Sequence, residues 1–336
     1  MSSLIKIGVC SDIHLDDKYS FTNIYPLQCE NSTVKDCDLF TKLFNPKDCD
    51  IIITAGDMGS PLKTRYWQFM NYLTTKCKLL VSIPGNHEYD ESSIEEITKL
   101  LMSKETDKMK FLLNDTLTVN FEGHMIDIIG ATLWSQIPRK YAENIKMVVN
   151  EFEDIKEFSS FNDVEVVSCP KNASKKLCEV TLKNPASLTL LNSLGLPLEK
   201  MTRADLIKNH ILKLDGLDIY NQANKFSVEY IRSKVNESRK NNHTSIVVTH
   251  YPPFYNLCHD LKYRHKISQY SYSNNLVDIQ PDVWIYGHSH YDIDTEHMYK
   301  LYSKLKINTT YISNQRGNLE RPKIKFDPTF KFGLDY

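Results

Sequence analysis

The stretch LLVSIPGNHE, residues 79–88, decides how this chain folds and what the fold presents. Residues 79–83 form a short apolar run that is typical of a buried strand, and Pro84 ends it. Asn86 and His87 then lie at the carboxyl edge of the predicted sheet, where open α/β folds keep their ligands. Taken alone, the motif is more typical of an ordinary turn, because Gly and Asn tolerate a positive φ.

Four other strand-like segments end in polar residues in the same way. They lie at residues 4–9, 50–55, 245–249 and 282–286. The polar residues after the five predicted strands are Asp12 and His14, Asp57, Asn86 and His87, His250, and His288 and His290. Because neighbouring strand ends lie side by side in a sheet, we expect these side chains to converge. Each could be a cap or turn residue by itself, but five such coincidences favour a site.

Helical spacing separates the second strand from the third, with apolar residues at Tyr66, Phe69, Met70 and Leu73. The order strand, helix, strand predicts a parallel sheet.

Further elements are predicted from the same patterns. Helices are expected at about 36–44, 92–102, 146–158, 202–214 and 218–238, and short strands on either side of Gly123, at 310–313 and at 323–326. Residues 159–200, rich in Ser, Asn and Lys, predict a surface insertion in a single domain that spans residues 1–336.

Composition excludes several classes of protein. The 336 residues carry 41 basic and 42 acidic side chains, so no broad positive field attracts nucleic acid, which would need a local patch. No uncharged apolar run reaches the roughly 18 residues of a membrane span. The eight cysteines include no Cys-x-x-Cys pair, and no secretory signal precedes the first strand. We therefore expect a soluble, intracellular, cytoplasmic protein that does not bind membranes.

The converging side chains form a mixed nitrogen and oxygen donor set. Setting His87 aside, they comprise two carboxylates, four imidazoles and one amide oxygen, which suit Mn, Fe or Zn. Seven donors are too many for one tetrahedral site. They predict two divalent metal ions that share a carboxylate, an arrangement that acts on phosphoryl centres.

In this order along the chain, the motifs resemble those of the calcineurin-like metallophosphoesterase superfamily. They are Asp-x-His at 12–14, Gly-Asp at 56–57, Gly-Asn-His-Glu at 85–88, His250, and Gly-His-x-His at 287–290. Segments 129–134, 247–250 and 314–317 resemble a widespread branch of single-domain phosphohydrolases. The resemblance implies an α/β fold of the metallophosphoesterase type, an αββα sandwich with two mixed β-sheets and helices outside. It also implies a metal-dependent phosphohydrolase.

The resemblance assigns a role to each residue of the motifs. It implies two sets of metal ligands that share one carboxylate: Asp12, His14 and His290 for the first ion, Asn86, His250 and His288 for the second, and Asp57 between them. A metal-bridging hydroxide would attack phosphorus in line, and His87 would serve the leaving-group oxygen as general acid or charge stabiliser. Asp57 and His87 are thus the predicted catalytic residues.

One position departs from the related serine/threonine protein phosphatases. There a second Asp, three residues after the Gly-Asp motif, would orient the catalytic histidine, whereas this chain has Ser60. The missing acid predicts that His87→Ala costs less activity than removal of a metal ligand. The Arg-Gly that follows in those enzymes is also missing, which argues against protein phosphatase specificity.

The substrate is a phosphate ester, but its type stays open. The same two-metal clamp serves phosphomonoesters and phosphodiesters. Basic and aromatic residues alternate in the loop 254–275, which either holds a phosphate and stacks a base or is simply solvated. Arg264 in this loop and Arg316 are the candidate phosphate contacts.

Two further functions compete with this one. A catalytically silent scaffold of the same fold would be expected to lack ligands, and none is missing here. A nuclease of the same superfamily is disfavoured by the near-neutral charge.

Overall fold

The computed structural model describes residues 4–16, 38–147, 149–159, 164–168, 179–182, 216–255, 267–291, 307–317 and 326–335. The predicted helix at 202–214, most of the predicted insertion, nearly all of the predicted strand at 323–326, and Arg264 lie outside these ranges.

The first of two five-stranded sheets carries the ends of the first three predicted strands. Its strands are β1 (Leu4–Cys10), β2 (Cys49–Ala55), β3 (Cys77–Ile83), β4 (Met109–Phe111) and β12 (Lys331–Asp335). In the order β12-β1-β2-β3-β4, every neighbouring pair is parallel except β12 with β1. The parallel arrangement brings the carboxyl ends of β1, β2 and β3 to one edge.

The second sheet carries the other two strand ends. Its strands are β5 (Asp115–Phe121), β6 (His124–Ala131), β9 (Thr244–Thr249), β10 (Val283–Tyr286) and β11 (Thr310–Ile312). The order is β11-β10-β9-β6-β5, and only the β5–β6 hairpin is antiparallel. A separate hairpin, β7 (Val164–Ser168) with β8 (Glu179–Leu182), lies in the predicted insertion.

The helices connect the strands and cover the sheets. In chain order they are α1 (Asp38–Leu43), α2 (Thr64–Thr74), α3 (Ile94–Ser103), α4 (Ala142–Lys146), α5 (Glu151–Asp154), α6 (Lys156–Ser159), α7 (Gly216–Asn241) and α8 (Gln269–Tyr272). No helix in the described part of the chain combines the length and the apolarity needed to cross a membrane.

Two kinds of core hold these layers together. Aliphatic side chains fill the space between the sheets, for example Ile7 and Ile53 from one and Ile128 and Val248 from the other. The outer faces pack against the helices through a second cluster that includes many aromatic rings. Each fully buried aliphatic side chain contributes about 1.5–3 kcal/mol. The fold is therefore the mixed α/β sandwich that the sequence predicts.

The predicted helix over 146–158 is wrong. In the structure α4 ends at Lys146 and two short helices, α5 and α6, follow; Ile155 between them is extended, with φ −102° and ψ 119°. Ile155 bridges to Ser92, and the backbone N–H of Lys156 donates to the carbonyl of Ser92. The carboxylate of Glu157 accepts from the first N–H groups of α3. These contacts override the local helical tendency, because capping α3 requires the segment to bend.

Candidate metal centre

The chain leaves three strands of the sandwich through backbone that L-residues rarely adopt. Five predicted ligands have a positive φ: Asp12 (55°), His14 (49°), Asp57 (56°), His288 (70°) and His290 (47°). This left-handed conformation costs about 1–2 kcal/mol at a non-glycine residue. Such strain persists only where surrounding contacts enforce it, and it concentrates at functional sites.

Asp12, His14 and His290 form a first donor group. One ligand atom of each lies within 4.8 Å of the others. His14 Nε2 is 3.0 Å from His290 Nε2, and His290 Nε2 is 3.2 Å from Asp12 Oδ1. The structure thus brings together the three residues assigned to the first ion.

Asp57, His250 and His288 form a second donor group. His250 Nε2 lies 3.2 Å from Asp57 Oδ2, 3.2 Å from His288 Nδ1 and 3.0 Å from Asn86 Oδ1. Asp57 Oδ2 is also 3.8 Å from His14 Nε2 of the first group. Asp57 therefore faces both groups, and the structure places all seven predicted ligands at one edge of the sandwich.

The donor chemistry of this edge fits metal ions. His250 Nδ1 is 2.8 Å from the carbonyl oxygen of Ala55, which can only accept, so Nδ1 carries the hydrogen. In the neutral ring, His250 Nε2 then presents a lone pair. Oxygen atoms of Asn86 and Asp57 also direct lone pairs towards this nitrogen. Converging lone pairs with no proton between them are stabilised by a cation, which is the arrangement of a coordination site.

The pKa shifts keep most of these donors in the form that binds metal. Burial alone would raise the pKa of Asp57, but His250 and His87 hold it well below its ordinary value. Burial lowers the pKa of His14 to about 4, and burial and His250 lower that of His288. His250 differs, since burial lowers its pKa but Asp57 raises it to about 9. Because a metal ligand must give up its proton, an ion at this group would compete with a proton for His250 Nε2.

Two glycines of the motifs are required by close packing. A Cβ on Gly85 would lie 2.2 Å from Asp57 Oδ1, and a Cβ on Gly287 would lie 2.7 Å from Asp12 Oδ2. Both distances are shorter than any tolerable contact. The glycines of Gly-Asn-His-Glu and Gly-His-x-His therefore make room for the carboxylates.

His87 has an acidic partner that the sequence analysis missed. Its Nδ1 is 2.7 Å from Asp90 Oδ2, across the short 3₁₀ turn His87–Tyr89. Burial lowers the pKa of His87, but Asp57 and Asp90 together raise it to about 10. Ser60 stands where the related protein phosphatases carry the orienting acid, and its backbone N–H donates to the carboxylate of Asp16. The sequence feature that could have revealed this partner is the acidic residue three positions after His87, Asp90.

Glu88 is a second residue that the sequence analysis left without a role. Its fully buried carboxylate accepts from the backbone N–H groups of Asp57 (2.9 Å), Met58 (2.7 Å) and Gly85 (2.7 Å). One side chain thus ties the loop after β2 to the loop after β3. Glu88 fixes the backbone that presents Asp57.

Tyr251 supports the second donor group from behind. Its ring stacks on His288 with centroids 4.0 Å apart, and its hydroxyl donates to Glu151 Oε1 at 2.8 Å. Of the two candidate phosphate contacts, only Arg316 lies in the described residues. Its Nη1 donates to the carbonyl of Ile13 at 3.0 Å, beside the first donor group.

Fold and site together define a metal-dependent phosphohydrolase of the metallophosphoesterase class. The chain belongs to the family described as calcineurin-like phosphoesterase, whose model matches residues 5–292.

The chain is similar over most of its length to several proteins with which it shares 12–24% sequence identity. The uncharacterized protein L509 of Acanthamoeba polyphaga mimivirus is 24% identical over 307 residues, which cover 87% of this chain and 86% of that protein. The phosphopantetheinyl hydrolase PptH of Mycobacterium tuberculosis aligns with a TM-score of 0.45 and 12% identity, over 99% of this chain and 97% of that one. A putative 5'-nucleotidase of Staphylococcus aureus gives a TM-score of 0.40 and 13% identity, over 94% of this chain and 49% of that one.

Proposed function

We propose that this protein hydrolyses phosphomonoesters or phosphodiesters with two divalent metal ions of the Mn, Fe or Zn type. The observation that carries the proposal is the position of Asp57, whose Oδ2 faces a ring nitrogen in each donor group. One group would hold the first ion through Asp12, His14 and His290, and the other the second ion through His250, His288 and the amide oxygen of Asn86. When bound, such ions activate water and neutralise charge on the phosphoryl group.

We assign His87 the role of proton donor to the leaving group. A ring nitrogen and a carboxylate oxygen of the centre, from His14 and Asp57, lie within 4.8 Å of a ring nitrogen of His87. With Nδ1 held by Asp90, the hydrogen on Nε2 is the one that His87 can donate. The backbone N–H of His87 donates to Asp57 Oδ1 at 3.0 Å, which ties the proton donor to the metal ligand. Asp90 acts on the reaction through His87.

Arg316 is our candidate for a phosphate contact from the described residues, because it lies next to the loop that carries Asp12 and His14. Arg264 stays a prediction from the sequence. The balanced net charge of −1 favours a small phosphate ester over a nucleic acid.

The experiment compares turnover of p-nitrophenyl phosphate and bis-p-nitrophenyl phosphate by metal-free and Mn²⁺-loaded protein. We expect Mn²⁺-dependent turnover of at least one ester, and its loss in Asp57→Asn. The matched control is Asp127→Asn, a buried aspartate on β6 outside the donor groups, which should keep its turnover per folded molecule. Turnover of neither ester, with Asp57→Asn indistinguishable from the unaltered chain, would instead support the catalytically silent scaffold.

A further inference from the structure

The segment Asn314–Gly317 joins the two sheets of the sandwich at the edge that carries the donor groups. It directly follows β11 of the second sheet, yet Gln315 forms a parallel bridge with Ser11, just past β1 of the first sheet. Ser11 N–H donates to the carbonyl of Asn314 and Arg316 N–H to the carbonyl of Ser11, at 3.1 and 3.0 Å. The segment therefore extends the first sheet by a few residues beside β1.

Two further bonds hold the loop that carries the first two ligands. Gly317 N–H donates to the carbonyl of Asp12 at 3.0 Å, and Arg316 Nη1 donates to the carbonyl of Ile13 at 3.0 Å. Gly317 has a φ of 68°, which this turn requires. The backbone on either side of Ile13 is thus fixed from the same segment.

Gln315 reaches the third ligand of the same group. Its side chain is fully buried, and its Oε1 accepts from the backbone N–H of His290 at 2.6 Å. Its Nε2, which carries two hydrogens, lies within hydrogen-bond distance of three acceptors: Ser289 Oγ at 3.1 Å, the carbonyl of Tyr291 at 3.3 Å and Ser313 Oγ at 2.7 Å. One carboxamide thus contacts three consecutive residues centred on a ligand whose own φ is strained.

We infer that Gln315 is a positioning residue for the first metal site, made by Asp12, His14 and His290. It holds the backbone of His290 in the left-handed conformation that directs Nε2 towards Asp12 and His14. The inference rests on the proposed two-metal function.

The contacts of Gln315 predict a selective effect. Its side chain bonds residues 289–291 and Ser313. In the second donor group, Glu88 holds the backbone of Asp57, the Ala55 carbonyl holds the ring of His250, and the ring of Tyr251 stacks on His288. Loss of the carboxamide should therefore weaken the binding of one ion and leave the binding of the other unchanged. Residues that hydrogen-bond to metal ligands typically contribute a factor of about 10–100 to metal affinity.

The test uses Gln315→Met, which keeps the length of the side chain and removes its hydrogen bonds. The matched control is Asn314→Ala in the same segment, because Asn314 Nδ2 donates to the carbonyls of Val9 and Asp327 and to no ligand residue. Bound Mn²⁺ is counted by titration, with free Mn²⁺ followed by electron paramagnetic resonance. Hydrogen exchange at the His290 amide is measured on the metal-free proteins.

We expect the unaltered chain and Asn314→Ala to bind two ions with similar affinities. Gln315→Met should bind one ion as the unaltered chain does and the other at least about tenfold more weakly. Its His290 amide should exchange faster without metal.

Unchanged binding of both ions by Gln315→Met, or the same selective loss in Asn314→Ala, would overturn the role of Gln315. If the unaltered chain bound fewer than two ions, the two-metal function would fail. Hydrogen exchange in the metal-free protein would then still decide whether Gln315 holds His290.

Discussion

At the scale of single residues, the centre combines strained ligands with well-bonded supports. The backbone at His14 and His290 is left-handed, with φ of 49° and 47°, although neither residue is glycine. The orientation of these two imidazole rings therefore comes with a local loss of stability, as expected where the position of a ligand matters more than local stability.

Replacing His290 by Gly or by Ala separates strain from ligation. Both variants remove a metal ligand, but only Gly relieves the left-handed backbone. We expect metal-free His290→Gly to be more stable than metal-free His290→Ala by up to about 1 kcal/mol, measured by urea unfolding in chelator. Equal stabilities would mean that the backbone at this position is not strained in solution.

The pair of His87 and Asp90 provides a second residue-scale prediction. We expect His87→Ala to lower kcat by about 10²-fold or more on an alkyl phosphate ester, whose leaving group needs a proton. The loss should be smaller on p-nitrophenyl esters, whose leaving group departs as an anion. Asp90→Asn should follow the same pattern with a smaller loss.

A double variant tests whether Asp90 acts through His87. If it does, His87→Ala with Asp90→Asn should be no slower than His87→Ala alone. Independent, multiplying losses would assign Asp90 a role apart from His87.

The sequence predicts well which polar side chains meet at this edge, and it predicts poorly which residues support them. Asp12, His250 and the others follow directly from strands, so the strand pattern alone brings them to one edge. Gln315 lies 25 residues after His290, and their contact depends on the segment that crosses from the second sheet to the first. No local sequence pattern predicts that crossing. Asp90 was within reach of sequence reasoning, but its contact depends on the 3₁₀ turn that follows Asn86.

At the scale of elements, the 26-residue helix α7 is tied to the second sheet by a buried carboxylate. Asp127 on β6 accepts from Ser238 Oγ near the end of α7 at 2.6 Å and from Thr118 Oγ1 on β5 at 2.6 Å. His243 Nδ1, just before β9, is 3.0 Å from the same carboxylate. Although burial would raise the pKa of Asp127, these bonds lower it.

The lowered pKa of Asp127 predicts a pH dependence of stability. The pKa is lower in the folded chain than in the unfolded chain, so the stabilisation is complete above the unfolded value of about 3.9 and is lost as pH falls through the folded value. Asp127→Asn should therefore be less stable than the unaltered chain at pH 7, with the difference shrinking below about pH 4. Urea unfolding of metal-free proteins between pH 7 and 3 measures this, and a constant difference would contradict it.

Element boundaries show where sequence patterns fail. Long periodic elements such as α2 and α7 were predicted within a few residues, because their buried stripes are set by their own sequence. The edge strands β4 and β12 were missed, since both are short and their pairing depends on distant partners. Residues 146–158 bend because of their contacts with Ser92 and the start of α3. The helical spacing of apolar residues does not reveal such contacts.

At the scale of the whole molecule, two sheets stack so that five strand ends meet. His250 of the second sheet bonds to the Ala55 carbonyl of the first, and His288 N–H donates to both carboxylate oxygens of Asp12. The centre is therefore assembled only when both sheets are in place. This explains why the motifs are spread from residue 12 to residue 290.

The proposed function requires two ions acting together in one centre, so the most direct measurement follows turnover against the number of bound ions. Metal-free protein is titrated with Mn²⁺ while bound ions and hydrolysis of bis-p-nitrophenyl phosphate or p-nitrophenyl phosphate are recorded in the same samples. We expect turnover to rise with occupancy of the second ion, to saturate at two ions per chain and to be absent from Asp57→Asn. Turnover that is independent of metal, or equal in Asp57→Asn, would contradict the proposed function.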